Sequence, residues 1–417
     1  MLRKVLVLLT FFLIGIGKNL PYDGLYFFGL SFGDFLLLAL LFEVIISKRP
    51  ELYEVYRSKL NVPLVLIGIW HVLSSLLNAS RYGLEFVDLF EGLRVFYYIL
   101  ILWFSAYYSL FYRGWVIVFF NFGVIVSGIV AYNNPMNPDL IGTIQIFNPN
   151  VIGNILVFSS LFCIYGLKID KRKTIRRILV IQFFTCFVIG LFTFSKATWL
   201  MLVVCQIVFF SHFWKYLTNL SLYKRLTAFL VLVVGIYWLT QTEEFQAAWK
   251  LGTVLLESKI AVSGFGESAG GGSSVGARVG LSYSGFLMAA EHPVFGVGVG
   301  NFERVNDSMS DILGLYYYKD DNANSLIFHL MATIGFVGFA FFAVILLNFF
   351  KVLFSLRKKG IVSFAQVMLT ILIVGVSINF QRELFTTYFF WFFYGFVFML
   401  NSESKYDQSS VAGSVNL

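Results

Sequence analysis

Six cations define where this chain could do chemistry: Arg81, Arg94, Lys196, Arg278, Arg304 and Arg382. Arg94 starts an apolar run, Lys196 lies between two of them, and Arg382 occupies a minimal turn, so none of these three is simply carried on a long solvated connector. A charge in or beside a hydrophobic region is costly and usually faces a cavity or a partner. Guanidinium groups that converge suit an anion, above all a phosphate or diphosphate, because the planar fork makes paired, charge-assisted hydrogen bonds. The competing reading for each is a side chain that snorkels to the membrane interface. Arg278 is followed by a helical stretch and a Pro-Gly turn, and there the functional reading is preferred.

Acids accompany these cations: Glu267, Glu291, Asp320, Asp321 and, beside Arg382, Glu383. A carboxylate in a partly dehydrated cleft has a raised pKa and can serve as a general base, although ion pairing or solvation accounts for most such residues. The four histidines, His71, His212, His292 and His329, do not cluster in sequence. Cys163, Cys186 and Cys205 all lie in apolar runs, which offers neither a disulfide framework nor a zinc ligand set and makes them packing residues. No metal site and no cofactor is expected.

The elements that must position these groups are membrane helices. Hydrophobic residues make up 58% of the chain and charged ones 13%, with a mean hydropathy of +0.79, far from a soluble domain. The apolar runs approach the roughly 20 residues needed to cross a bilayer and lack the alternation of barrel strands. The fold class is therefore an all-α polytopic membrane protein. The net charge of +8 falls mostly in short connectors, where membrane orientation explains it, so nucleic acid is excluded as a partner and membrane lipids are the surroundings.

Taken in order, Arg3, Lys4 and VLVLLTFFLIGIG open a first span rather than a cleaved leader. Further spans are expected at about 32–47, 61–77, 92–110 and 115–131, and a sixth leads to the basic connector KIDKRKTIRR. Runs at about 178–194 and 197–211 are broken at FSKATW, and 226–241 makes a ninth. Residues 242–322 form a large extracytoplasmic loop with short helices between helices 9 and 10, and spans to about 350, at 361–380 and at 384–400 complete a count of twelve. Residues 1–400 then form one transmembrane domain, with both termini cytoplasmic and 401–417 a disordered tail. Every strongly basic connector falls on the same side in this layout.

Within the loop, GFGESAGGGSSVGARVG is too glycine-rich for a fixed fold without a partner, and VGLSYSGFLMAAEH should be helical up to Pro293. GVGVGN follows no strand of a parallel sheet, so it is not a dinucleotide fingerprint. Its glycines are expected to let backbone pack closely against the spans.

The order Arg278, helix, EHPVFGVGVGNF, acidic insert, then NSLIFHLMATIGFVG resembles the O-antigen ligase and O-antigen polymerase superfamily. The residues that carry the resemblance are Pro293, Gly296, Gly298, Gly300 and Asn301 in the turn, then Ser325, nine residues, Gly335, two residues and Gly338. The family writes this last element H-[NSQ]-x9-G-x-x-[GTY]. FTFSKATW is similar to the family's S-R-x-x-x segment, with Lys196 keeping the charge. The match is specific over about 278–340 and architectural elsewhere.

The resemblance implies a membrane glycosyltransferase C-like, metal-independent enzyme of the bacterial inner membrane, its active site facing the periplasm. It implies an undecaprenyl-diphosphate-linked glycan as donor and a lipid-linked glycan or lipid A-core as acceptor, with a chain-length regulator as a possible partner. The arginines and Lys196 would hold the diphosphate. Asn324 stands where the ligases carry a histidine proposed as base, and an amide takes up no proton at neutral pH, which shifts the reading from ligase toward polymerase. Asn324 could still orient the acceptor hydroxyl, and Glu291 is the first candidate base. A lipid-linked glycan flippase is the alternative from another class.

Overall fold

A computed structural model describes residues 2–16, 26–27, 30–47, 61–82, 86–133, 149–193, 195–218, 274–306, 325–380 and 388–406. The elements are α1 (Leu2–Ile16), β1 (Tyr26–Phe27), β2 (Leu30–Ser31), α2 (Phe32–Ile46), α3 (Asn61–Tyr82) and α4 (Phe86–Asn133). There follow α5 (Pro149–Ile169), α6 (Lys173–Leu191), α7 (Lys196–Thr218), α8 (Ser274–Glu291), α9 (Leu326–Lys358), α10 (Phe364–Phe380) and α11 (Tyr388–Tyr406). The strands form one short antiparallel ladder, Tyr26 opposite Ser31 and Phe27 opposite Leu30.

Among the described residues five helices are long and apolar enough to cross a membrane: Asn61–Tyr82, Leu93–Val130, Ile152–Ile169, Lys173–Leu191 and Leu326–Lys358. Large apolar side chains point outward along the helices, among them Ile181, Leu200 and Ile207, each more than 60% exposed. A bundle with such an apolar exterior is built for lipid. An unbroken helix over Leu93–Val130 would measure roughly 57 Å against a hydrocarbon core of about 30 Å. It is broken at Arg113 (φ 29, ψ −108), which leaves two arms of about one crossing each, where the sequence reading placed its fourth and fifth spans.

The core is aromatic. Phe120 of α4 stacks on Phe392 of α11 at 4.1 Å, and Phe162 of α5 meets Phe392, Phe393 and Phe396. α1 lies close along α4, where a Cβ on Gly15 or Gly123 would come within 2.1 Å of a backbone carbonyl of the other helix. Small residues let helix backbones approach in this way. Several buried polar side chains are paired inside the bundle. Ser159 Oγ donates to Asn121 Oδ1 at 2.7 Å and Cys186 Sγ to Ser159 Oγ at 3.4 Å, and Asn121 donates to Cys163 Sγ at 3.1 Å. All three cysteines are free and buried.

Polar contacts tie several helix ends together. Arg3 pairs with Glu43 at 3.3 Å and lies over the Tyr108 ring. Asp170, buried between α5 and α6, accepts the Arg172 fork, with Nη2 at 2.5 Å, and the Gly114 N–H just past the break in α4. Burial raises the Asp170 carboxyl, but the Arg172 and Gly114 hydrogen bonds outweigh it and hold the group below its ordinary value.

Three boundaries differ from expectation. α3 runs on to Tyr82, so Arg81 belongs to a helix rather than to a connector. α8 begins at Ser274, inside the glycine-rich segment, because Leu281, Ser284, Gly285, Met288 and Ala289 recur at helical spacing and are all buried. α11 continues to Tyr406, into the segment read as a tail. There Asn401 Oδ1 accepts from Ser355 Oγ at 2.9 Å and from Lys359 Nζ at 2.8 Å.

Candidate active site

The site is organised by a break in α9. At Gly335 the backbone takes φ 70, ψ −179, and the carbonyls of Ala332, Thr333 and Ile334 lose the N–H groups that a continuous helix would supply. Other segments satisfy them. Val297 N–H donates to Ala332 O at 2.8 Å, Gly298 N–H to Thr333 O at 3.0 Å, and on the far side of the break Phe336 N–H donates to Pro293 O at 2.8 Å. Trp70 Nε1 donates to Ile334 O at 3.0 Å and Ser74 Oγ to Thr333 O at 2.8 Å.

The two glycine motifs are thus halves of one backbone contact. Gly296 (φ 66) carries its turn so near α9 that a Cβ there would lie 2.3 Å from Ala332 O, and a Cβ on Gly335 would lie 2.3 Å from Val294 O. This is the close backbone packing expected for the glycines of GVGVGN.

One face of α3 supports the turn. Trp70, Ser74 and Asn78 follow at intervals of four. The Trp70 ring stacks on Phe295 at 4.6 Å, Ser74 Oγ also donates to Phe295 O at 2.5 Å, and Asn78 Nδ2 donates to Gly296 O at 3.1 Å. Behind the turn, Leu281 and Met288 of α8 pack with Val297, Phe302, Val305 and Ala332.

At the end of this face the charged groups meet. Arg81 lies over the ring of Tyr82, 5.2 Å from its centre, and the Tyr82 hydroxyl is 3.1 Å from His292 Nε2. Arg304, on the helical turn 302–306, donates from Nη1 to Asn301 Oδ1 at 2.8 Å and to the Tyr82 carbonyl at 3.5 Å. Asn301 is buried and bonds back to Val297 O at 3.0 Å. Burial lowers the pKa of His292, the nearby Arg81 lowers it further, and Glu291 opposes them, leaving it below its ordinary value.

Of the cations singled out from sequence, Arg81 and Arg304 both touch Tyr82, Arg81 over its ring and Arg304 at its backbone carbonyl from 222 positions away. Arg94 is exposed near the start of α4, and Glu291 is exposed at the last residue of α8. Arg278 falls in the first half of α8 and Lys196 opens α7, while the side chains of both lie outside the described residues. Asn324 and Arg382 also lie outside them. Ser325 is buried at the start of α9, and Gly338 is buried one turn past the break. Ser195, in the FSKATW segment, caps α7 by accepting from Thr198 N–H at 3.4 Å.

Sequence reasoning missed Tyr82, which lay past residue 77 where the expected span ended, and also Trp70, Ser74 and Asn78. The signal for the last three was their spacing of four, a polar and aromatic stripe on an otherwise apolar helix. It also passed over Asp34, a buried acid that accepts from the Tyr97 hydroxyl. No group of three or more His, Cys, Asp or Glu side chains gathers among the described residues. His71 is buried with Nδ1 2.7 Å from Ile67 O.

A family model described as O-antigen ligase matches residues 181–343. The matched stretch takes in the break before Lys196, all of α8, the glycine turn and the kink at Gly335. No curated protein matches the chain.

Proposed function

With this domain at residues 181–343 the chain belongs to the O-antigen ligase and polymerase superfamily, and on that premise we propose that it joins lipid-linked repeat units into a longer surface glycan. The donor is a glycan on undecaprenyl diphosphate and the acceptor a hydroxyl of another lipid-linked unit. The observation that supports this reading is that Arg81 and Arg304 both contact Tyr82, one at its ring and one at its carbonyl, and guanidinium groups suit a diphosphate. In the same reading Arg278, Lys196, Arg94 and Arg382 also bind the diphosphate. As the sugar–phosphate bond breaks, negative charge grows on the diphosphate, and a well-aimed donor is worth about 3–4 kcal/mol at that stage. Asn324 orients the acceptor hydroxyl, and Glu291 is one candidate to receive its proton. No metal takes part.

In this reading the chain crosses the inner membrane twelve times, both termini are cytoplasmic and the site faces the periplasm, where a chain-length regulator could act on the growing product. The second reading is transfer to lipid A-core, favoured by the ligase description of the matching family model. Asn324 at the position of the ligase histidine favours the polymerase. Transport of the lipid-linked glycan is the alternative without bond formation.

The test uses the full chain in proteoliposomes with lipid-linked repeat units alone. Longer glycans are expected. Product only when lipid A-core is added establishes the ligase reading, and movement of the donor across the bilayer without new glycosidic bonds establishes transport. Arg278→Ala is expected to abolish transfer with membrane insertion intact, and Arg278→Lys to recover little. Full activity of the alanine variant removes Arg278 from the clamp.

A further inference from the structure

Glycosyl transfer to a hydroxyl requires somewhere for the hydroxyl proton to go, and this inference rests on the transferase reading above. Asn324 cannot take it, and Glu291 is exposed, so its carboxylate faces solvent. The residue after Glu291 is better placed. His292 is half-buried and fixed through its backbone, its N–H donating to Met288 O at 2.9 Å and its carbonyl accepting from Gly296 N–H at 2.9 Å. Its Nε2 lies 3.1 Å from the Tyr82 hydroxyl, and the two rings meet edge to face at 89°. Arg81 covers the Tyr82 ring, and Arg304 reaches the Tyr82 carbonyl. The acids of this neighbourhood, Glu291 and Glu303, are exposed. His329 lies beside Phe302 at 5.6 Å, and Asp320 and Asp321 lie outside the described residues.

We propose that Tyr82 and His292 form the proton relay that activates the acceptor hydroxyl. The acceptor oxygen bonds to the anomeric carbon with a lone pair. The carbon–oxygen bond to phosphate breaks and its electron pair leaves with the diphosphate. The hydroxyl proton passes to the Tyr82 oxygen as the phenolic proton passes to His292 Nε2, and the imidazolium then releases a proton to water. The relay requires the phenol to donate to Nε2 in the resting site, with Nδ1 carrying the hydrogen of the neutral ring. Burial and Arg81 both favour that neutral ring, so the relay is ready to accept at neutral pH.

The test is the pH dependence of transfer by the full chain in proteoliposomes, with lipid-linked repeat units as donor and acceptor. The glutamine in His292→Gln still accepts from the Tyr82 hydroxyl but takes up no proton. It is expected to lower kcat about 100-fold, the range of a general base, with KM within about 3-fold and the acid limb of the profile gone. Tyr82→Phe should lose a similar factor, and the double variant should be no worse than the weaker of the two. Arg81→Gln weakens the diphosphate clamp and so lowers kcat, but it also removes the cation that adds to burial in depressing His292. The acid limb of its residual activity should therefore move to higher pH, and this decides the matter if His292→Gln fails to fold. A His292→Gln chain with kcat within about 3-fold of the parent and its acid limb intact overturns the relay, as does an unmoved limb in Arg81→Gln. If the parent chain makes no glycosidic bond at all, the transferase reading itself is refuted and the relay goes with it.

Discussion

Gly335→Ala tests the site's architecture most directly. At φ 70, ψ −179 the position lies in a region almost reserved for glycine, and holding alanine there costs about 1–3 kcal/mol. The new Cβ would also sit 2.3 Å from Val294 O and 2.8 Å from Pro293 O. Both are backbone atoms of a turn held from behind by α3, so relief requires the turn to move off α9. That movement breaks bonds among Phe336 N to Pro293 O, Val297 N to Ala332 O and Gly298 N to Thr333 O, each worth about 1 kcal/mol net. Strain plus the loss of two such bonds amounts to about 3–5 kcal/mol. The control is Gly360→Ala, at φ 71 with no atom within 4 Å of the added carbon, where only the left-handed conformation matters and the cost is about 1 kcal/mol. Unfolding of the full chains in lipid nanodiscs should give the order parent, Gly360→Ala, Gly335→Ala, with the second gap wider than the first. A Gly335→Ala chain as stable as Gly360→Ala would refute the claim that the two glycine motifs are one backbone contact.

Other perturbations follow from the same geometry. Ser74→Ala removes the hydroxyl that serves both Phe295 O and Thr333 O and should cost about 1–3 kcal/mol, measured in the same unfolding experiment. Trp70→Phe keeps an aromatic ring against Phe295 but loses the bond to Ile334 O, and about 1 kcal/mol is expected. Arg113→Gly places the permissive residue where φ is 29 and should leave stability unchanged or raise it by up to about 1 kcal/mol. The folded-state pKa of Asp170 is depressed below 3.8, so its contribution is present above that value and is lost as the pH falls through the folded-state pKa. Asp170→Asn should therefore lower the unfolding midpoint at pH 7, and the gap to the parent should narrow as the pH falls below 3.8.

The helices that Leu, Ile, Val and Phe fill were legible because the bilayer imposes one length and one composition on every span. The break before Lys196 was legible from its serine and lysine among apolar residues. The close approach of the GVGVGN glycines followed from the absence of side chains. What could not be read was which carbonyls those glycines approach, since Gly296 and Ala332 become neighbours only when α9 breaks. Gly335 carries no mark of that break beyond its residue type. Tyr82 was hidden for a different reason: NASRY reads as polar connector, and its helix is tied down by Asn78, which bonds both to Ser74 O, one turn back, and to Gly296 O, far along the chain. His292 was noticed beside the proline, but its pairing with Tyr82 spans 210 positions, beyond any local pattern.

The broken helix also bears on how the protein is made. The carbonyls of Ala332, Thr333 and Ile334 cannot be left bare in lipid, and their donors come from two places in the order of synthesis. The turn that supplies Val297 and Gly298 leaves the ribosome just ahead of α9. Trp70 and Ser74 were completed some 260 residues earlier. α9 can therefore settle only where α3 already waits, which makes closure of the site a late, long-range event in biogenesis rather than a property of the loop alone. A chimera that exchanges this loop between relatives should insert and fold only if the matching face of α3 travels with it.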